Sequence, residues 1–348
     1  MKTEAAVLVE LGAPLALVEL EVPSLKTGQV LVQILVSGVC HTQVLEARGH
    51  RGEDRYLPHC LGHEAVGIVR ETGPGVSKVK ADDTVILSWM KGAGLDGVGT
   101  QYRWGDRTVN AGGVTTFSRL SVVSENRLVR MPTGVRLDDA AVLGCALATG
   151  FGAVFNVARP MPGQSVAVFG VGRIGLSAVL AAAAAGCTPV VAVDVNDEKL
   201  KVASGLGATH AFHAEGALDR ILRVCPGGVD VAVEASGRPS VMTSALRSVR
   251  SQGGAAVVVG NARHGESVQI DPREFNQGKR LLGTWGGDNW PDRDFARYGR
   301  LLTSGKIDLA PMTPRRYRLD QADEAMTDLE EGRAIRPLIV CSELGSAC

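Results

Sequence analysis

SVAVFGVGRIG, Ser165 to Gly175, is the stretch from which the rest of the chain is read. A short apolar run ends in Gly170-Val171-Gly172-Arg173-Ile174-Gly175, a match to G-x-G-x-x-G, and good helix formers follow from Leu176 to Ala185. Alone, such a match is weak, because a glycine-rich strand-to-helix turn can serve packing only. Nineteen positions after Gly175, however, the next apolar run, Val190 to Asp194, closes on an acidic residue. That context is what a dinucleotide needs: a tight turn, close backbone approach to the pyrophosphate, a helix N-terminus to meet its charge, and a carboxylate for the adenosine ribose hydroxyls. A carboxylate repels a 2′-phosphate, and Val195 and Asn196 bring no cation, so NAD is expected over NADP. A nucleoside-binding methyltransferase of the same fold is the rival at this point.

Outward from this turn, Val229 to Glu234 and Ala255 to Gly260 are further near-continuous apolar runs, separated by helical stretches such as Glu198 to Leu206. Such runs suit parallel strands covered on both faces, so the second part of the chain is expected to be a doubly wound α/β Rossmann domain. Before about residue 150 the texture differs. Gln29 to Val36, Ala65 to Arg70, Asp83 to Leu87 and Phe117 to Val123 are short β-branched runs between Gly, Pro and Asp turns, the pattern of an antiparallel β domain. The expected boundaries are 1–148 for the β-rich domain and 149–285 for the NAD-binding domain. In the tail, 286–348, Phe295 to Ser304 and Gln321 to Glu331 read as helices and Pro337 to Cys341 as a last apolar run.

Composition excludes several classes of partner. Lys plus Arg equals Asp plus Glu at 37 each and aromatics are only 4%, so no charge imbalance draws nucleic acid or an anionic membrane. The longest apolar stretch, Ala178 to Ala185, is too short to span a bilayer, and the N-terminus lacks the pattern of a signal peptide. Seven irregularly spaced cysteines fit a reducing compartment, and the protein is expected to be cytoplasmic with a small-molecule partner.

The first domain offers Cys40, His41, Cys60, His63 and Glu64, with Cys145 near its end. A catalytic zinc takes three such ligands and keeps a fourth position open. Singly, each residue is more often a buried thiol or a satisfied polar group than a ligand.

Taken together, GVCHT with Cys40, LGHE with His63 and Glu64, GCALATG with Cys145, VFGVGRIG, VAVDVNDEKL with Asp194 and Lys199, and EGRAIRPLIV resemble the zinc-containing medium-chain alcohol dehydrogenases over nearly the whole chain. The resemblance looks closest to the animal-type and glutathione-dependent formaldehyde dehydrogenase branch. It implies a GroES-like catalytic domain, completed by the returning tail, and one catalytic zinc on Cys40, His63 and Cys145, with Glu64 behind it. Thr42 would take the alcohol proton. His41, Lys199 and Arg336 would meet the phosphates or ribose of NAD, and Thr149, Arg238, Val259 and Gly260 would line its cleft beside Gly170 to Gly175. The implied reaction is reversible hydride transfer between an alcohol or carbonyl substrate and NAD, in a homodimer or homotetramer. The rivals are a zinc-free enone or quinone reductase of the same superfamily and a non-enzymatic NAD-binding protein.

The sequence departs from this family in several places. No cysteine occurs between Cys60 and Cys145, so the family's four-cysteine structural zinc is expected to be absent and its lobe shortened. Trp89 falls where relatives place an aromatic facing the substrate. Lys91 to Gly113 reads as a large loop, with Arg103 and Arg107 as possible polar or anion contacts. Cys60, where the family is apolar, reads as a buried thiol. Leu45 replaces a proton-relaying histidine of some relatives. Gln43 replaces an aspartate that accepts the free N–H of the zinc-bound histidine, and its amide oxygen is expected to accept in the same way.

Overall fold

The computed structural model describes residues 1–342, and these form two compact units. The first comprises residues 1–145, 290–303 and the chain from 313; the second comprises 146–289 and 304–312. The tail is thus not one continuous return, since 304–312 packs with the dinucleotide unit. Among the described residues no single helix is long and apolar enough to cross a membrane.

In the first unit, a sheet runs in the order Leu128–Arg130, Thr84–Ser88, Glu64–Thr72, Gln29–Gly38, Arg336–Val340 and Pro314–Arg318, with Leu120–Ser124 also paired to Gln29–Gly38. All ten residues of Gln29–Gly38 are buried, because this strand is covered on both faces and shares partners on both edges. A closed barrel adjoins it, built from Lys2–Leu8, Ala16–Glu21, Thr100–Trp104, Arg107–Gly112 and His59–Cys60.

Two barrel strands correct the sequence reading. Lys91 to Gly113 is not one large loop: Thr100–Trp104 and Arg107–Gly112 form an antiparallel hairpin in which Trp104 pairs with Arg107 across Gly105-Asp106. Gly105 has φ +60°, which suits a two-residue hairpin turn. Tyr102 and Val109 point inward and are buried, while Arg103 and Arg107 lie on the exposed side, Arg107 against the Trp104 ring. The loop before the hairpin is held by a fully buried carboxylate. Glu125 accepts from the Ser77 and Lys78 amides at 2.7 Å and from Leu95 N–H at 2.6 Å. Burial raises its pKa, but these three donors outweigh that and hold it below the ordinary value.

In the second unit, six parallel strands run in the order His210–His213, Val190–Asp194, Val166–Phe169, Val231–Glu234, Ala255–Val258 and Arg280–Gly283. Chain order reverses at Val166–Phe169, and in open α/β sheets ligands bind in the crevice at the carboxyl ends of strands beside such a reversal. The apolar runs read from the sequence are these strands.

Candidate metal centre and dinucleotide turn

The strand Gln29–Gly38 delivers the chain to Cys40, which precedes the helix His41–Ala47. His63 stands immediately before the strand Glu64–Thr72, and Cys145 follows the helix Leu137–Leu143. These three elements bring one ligand atom each from Cys40, His63 and Cys145 to within 4.8 Å of one another. His63 Nε2 is buried and makes no hydrogen bond. Burial disfavours the charged ring, but the neighbouring Cys40 thiolate outweighs it, so the His63 pKa is held above its ordinary value in the metal-free protein. Two thiols and an imidazole with an unused, buried nitrogen are the donor set of a three-ligand zinc site, so the residues fit that ion. Cys60 is not among them: it is buried in the barrel core, where desolvation pushes its thiol up to about 12.

Behind the ligands, Glu64 is fully buried and packs against Gly38, where a Cβ would overlap its carboxylate. Thr42 lies on the first turn of the helix His41–Ala47, its Oγ1 3.7 Å from Cys40 Sγ.

Gln43 is arranged differently from the expectation. Its Oε1 accepts the Cys40 backbone N–H at 2.7 Å, and its Nε2 faces His63 Nδ1 at 2.5 Å. An amide nitrogen only donates, so in this arrangement Nδ1 accepts and the ring proton falls on Nε2. A metal needs the Nε2 lone pair, which places the proton on Nδ1, facing an amide that cannot accept it. An aspartate is acceptor-only and satisfies both N–H groups at once; a glutamine satisfies one.

A cleft of about 390 Å³ in the first unit reaches the metal centre at His63, with Gln43, Trp89 and Arg127 also among its lining residues. Arg103 and Arg107 do not line it; the cation that does is Arg127. Sequence reading also missed Glu46, Asp54 and His59. Glu46 and His59 line the cleft, and His59 Nε2 is 2.8 Å from Asp54 and 4.0 Å from Glu46. Their spacing in sequence follows no motif, so only the fold brings them together.

In the second unit the glycine turn divides its labour. Gly170 has φ +83°, Gly172 has open space where a Cβ would stand, and a Cβ at Gly175 would drive into the Gly170 carbonyl. These are the turn, the open approach for a pyrophosphate and the close helix packing that a dinucleotide turn requires. Asp194 closes the next strand and accepts from Val171 N–H at 2.8 Å and Asn196 N–H at 3.0 Å, which fixes its carboxylate beside the turn.

Residues 26–133 match the alcohol dehydrogenase GroES-like domain family, and residues 174–304 match the zinc-binding dehydrogenase family. The chain belongs to the zinc-dependent medium-chain alcohol dehydrogenases. This dehydrogenase is 32% identical to S-(hydroxymethyl)glutathione dehydrogenase of Synechocystis sp. and 33% identical to the protein of that name in Photobacterium damsela subsp. piscicida; each comparison covers 97% of the chain and 100% of the relative. Among solved structures it resembles an alcohol dehydrogenase zinc-binding domain protein from Burkholderia ambifaria, with TM-score 0.91, 28% identity and 99% and 100% of the two chains covered. Benzyl alcohol dehydrogenase from Acinetobacter calcoaceticus aligns with TM-score 0.89 and 27% identity, covering 98% and 100%.

The remaining residues singled out in the dehydrogenase sequence are distributed as follows. Arg173 and Ile174 open the helix after the glycine turn, and Lys199 lies on the first turn of the next, its N–H accepted by Asn196. Arg238 is exposed and caps the helix Pro239–Ser248. Val259 and Gly260 both donate backbone N–H groups to the Glu234 carbonyl, and Thr149 is buried on the helix Ala146–Gly152. His41 is exposed. Arg336, expected to meet the cofactor directly, is buried at 2% exposure and pairs with Asp139 at 2.7 Å. The pair uses Nη2, and Nε is buried without a hydrogen-bond partner.

Proposed function

We propose that the protein oxidises an alcohol to the corresponding carbonyl compound, and catalyses the reverse reduction, with NAD and one catalytic zinc. The convergence of Cys40, Cys145 and His63, whose buried Nε2 has no hydrogen-bond partner and which also lines the cleft, supports this reading. When bound, zinc acidifies the substrate hydroxyl and NAD accepts the hydride. Cys40, His63 and Cys145 hold the metal, and buried Glu64 adds negative charge behind them. Thr42 accepts a hydrogen bond from the substrate hydroxyl and, as a relay, gives up its own hydroxyl proton when it takes the substrate's. Leu45 has no group to pass it on, and Glu46 and His59, which line the cleft, supply a carboxylate and an imidazole in its place. Trp89 gives the cleft a flat apolar wall. Asp194 takes the adenosine ribose and favours NAD over NADP. With no cysteine between Cys60 and Cys145, the lobe relies on the hairpin and Glu125 rather than on a second zinc.

An NAD-linked screen of alcohols and aldehydes, with zinc quantified in the same preparation, tests the proposal. The expected outcome is turnover at about one zinc per chain, lost in Cys40→Ala. Absence of turnover across the panel in zinc-loaded protein, or full turnover with less than about half a zinc per chain, defeats it.

A further inference from the structure

The cleft holds a guanidinium that the proposed chemistry does not use. Arg127 lies between the short helix Glu125–Arg127 and the strand Leu128–Arg130, is half-buried, and directs its side chain into the cleft wall beside Trp89. One edge of its planar fork is occupied, since Nη1 donates to the Trp89 carbonyl. The other edge is different. Nε is buried and has no hydrogen-bond partner, and Nε and Nη2 are the nitrogens that face Gly113, at 3.4 and 3.6 Å from where a Cβ would stand. Glycines at 112 and 113 set no side chain of their own against these nitrogens, and both line the cleft.

The charge is also poorly matched within the protein. Asp96 is the carboxylate whose field reaches Arg127, yet it is bound to Lys91 at 2.6 Å and to Asn126 at 3.1 Å. Burial accordingly pulls the Arg127 pKa below its ordinary value. A half-desolvated guanidinium whose Nε is satisfied by no protein group offers charge and a donor to an oxyanion. Glu46 and His59, which also line the cleft, are drawn together with Asp54, and Arg127 is the one arginine or lysine among the lining residues.

We propose that Arg127 is a specificity-determining residue that receives an oxyanion, a carboxylate or a phosphate ester, carried by the alcohol or carbonyl substrate. The inference rests on the dehydrogenase reading above and narrows its substrate class. Trp89, held by the same guanidinium, flanks the carbon skeleton between the reacting hydroxyl and the anion.

The test compares three substrates of one skeleton: benzyl alcohol, 4-(hydroxymethyl)benzoate and 4-(hydroxymethyl)phenyl phosphate. The expected result is a preference of about 10- to 100-fold in kcat/KM for one anionic substrate over the neutral one, expressed in KM. Which anion is favoured separates carboxylate from phosphate. The anionic-to-neutral ratio collapses in Arg127→Gln. It also falls in Gly113→Ala, which sets a methyl group against Nε and Nη2 without touching the bond to Trp89. A ratio near one in the wild type, or one unchanged by both substitutions, overturns the proposal. If zinc-loaded protein turns over no alcohol at all, the dehydrogenase reading has failed instead, and thermal stabilisation by benzoate or phenyl phosphate against benzamide still decides the role of Arg127. Stabilisation by an anion that disappears in Arg127→Gln supports it; stabilisation equal in both proteins, or absent from both, overturns it.

Discussion

At the scale of single residues, the decisive pair is Gln43 and His63. The amide is pinned at one end by Cys40 N–H and meets Nδ1 with the other, so it cannot accept the proton that a metal-loaded imidazole carries there. The site therefore binds its metal against one mismatched contact, or turns the amide and gives up the Cys40 bond instead. Gln43→Asp removes the conflict, because one carboxylate accepts from both groups. The expected outcome is zinc release to a chelator slowed by about 10-fold or more, measured as chelator absorbance against time. Equal release rates for the two proteins would show that the contact does not govern the metal. The sequence made position 43 visible as the place to look, through its resemblance to proteins with aspartate there. It could not reveal which end of the amide faces the ring, because that depends on the capping of the following helix by the same side chain.

At the scale of elements, the glycine turn separates binding from folding. Gly172 has open space at the Cβ position and φ −72°, so Gly172→Ala keeps the fold and places a methyl group where a pyrophosphate would approach. Gly175→Ala instead forces the helix Arg173–Ala184 away from the Gly170 carbonyl. Stability within about 0.5 kcal/mol of wild type with NADH affinity reduced at least several-fold is expected for the first, and a lowered melting temperature for the second. Calorimetry with fluorescence titration of NADH checks both. The turn was legible because strand, glycines and acidic residue are contiguous in sequence. The hairpin Thr100–Trp104 and Arg107–Gly112 was less so, since its alternation is masked by arginines on the outer face and a single Gly-Asp turn. Its neighbouring loop yields a pH prediction. Glu125 has a folded pKa below the ordinary value, so it contributes stability above the ordinary carboxylate range, and that contribution is lost as pH falls through the folded pKa. Glu125→Gln replaces one acceptor by a donor facing Leu95 N–H and is expected to cost about 1–3 kcal/mol at neutral pH, with the gap to wild type closing in acid. Thermal unfolding as a function of pH measures this.

For the whole molecule, metal and dinucleotide residues belong to different compact units: Cys40, His63 and Cys145 to the first, Gly170 to Gly175 and Asp194 to the second. Chelation of zinc is therefore expected to abolish alcohol oxidation while NADH still binds with unchanged stoichiometry, and re-addition of zinc restores the rate. Loss of NADH binding on chelation would contradict this division. The two-domain plan and the three metal residues were open to sequence reading because each lies in a short contiguous motif. Arg127, Glu46 and His59, which line the cleft, and Asp54 beside His59 were not, because positions 46, 54, 59 and 127 follow no motif. Arg336 carries a contact that its motif did not announce, the ion pair of Nη2 with Asp139. One feature of the first unit also orders events during synthesis. Val340 pairs with Val36 on the strand that leads to Cys40, so this sheet cannot be completed until almost the entire chain has left the ribosome. At about 5–20 residues per second, the nascent Cys40 and His63 wait on the order of tens of seconds for their finished scaffold. During that interval Cys40 and His63 lack the strand Arg336–Val340 on the edge of their sheet, so the earlier-made part of the centre waits on a strand made long after it.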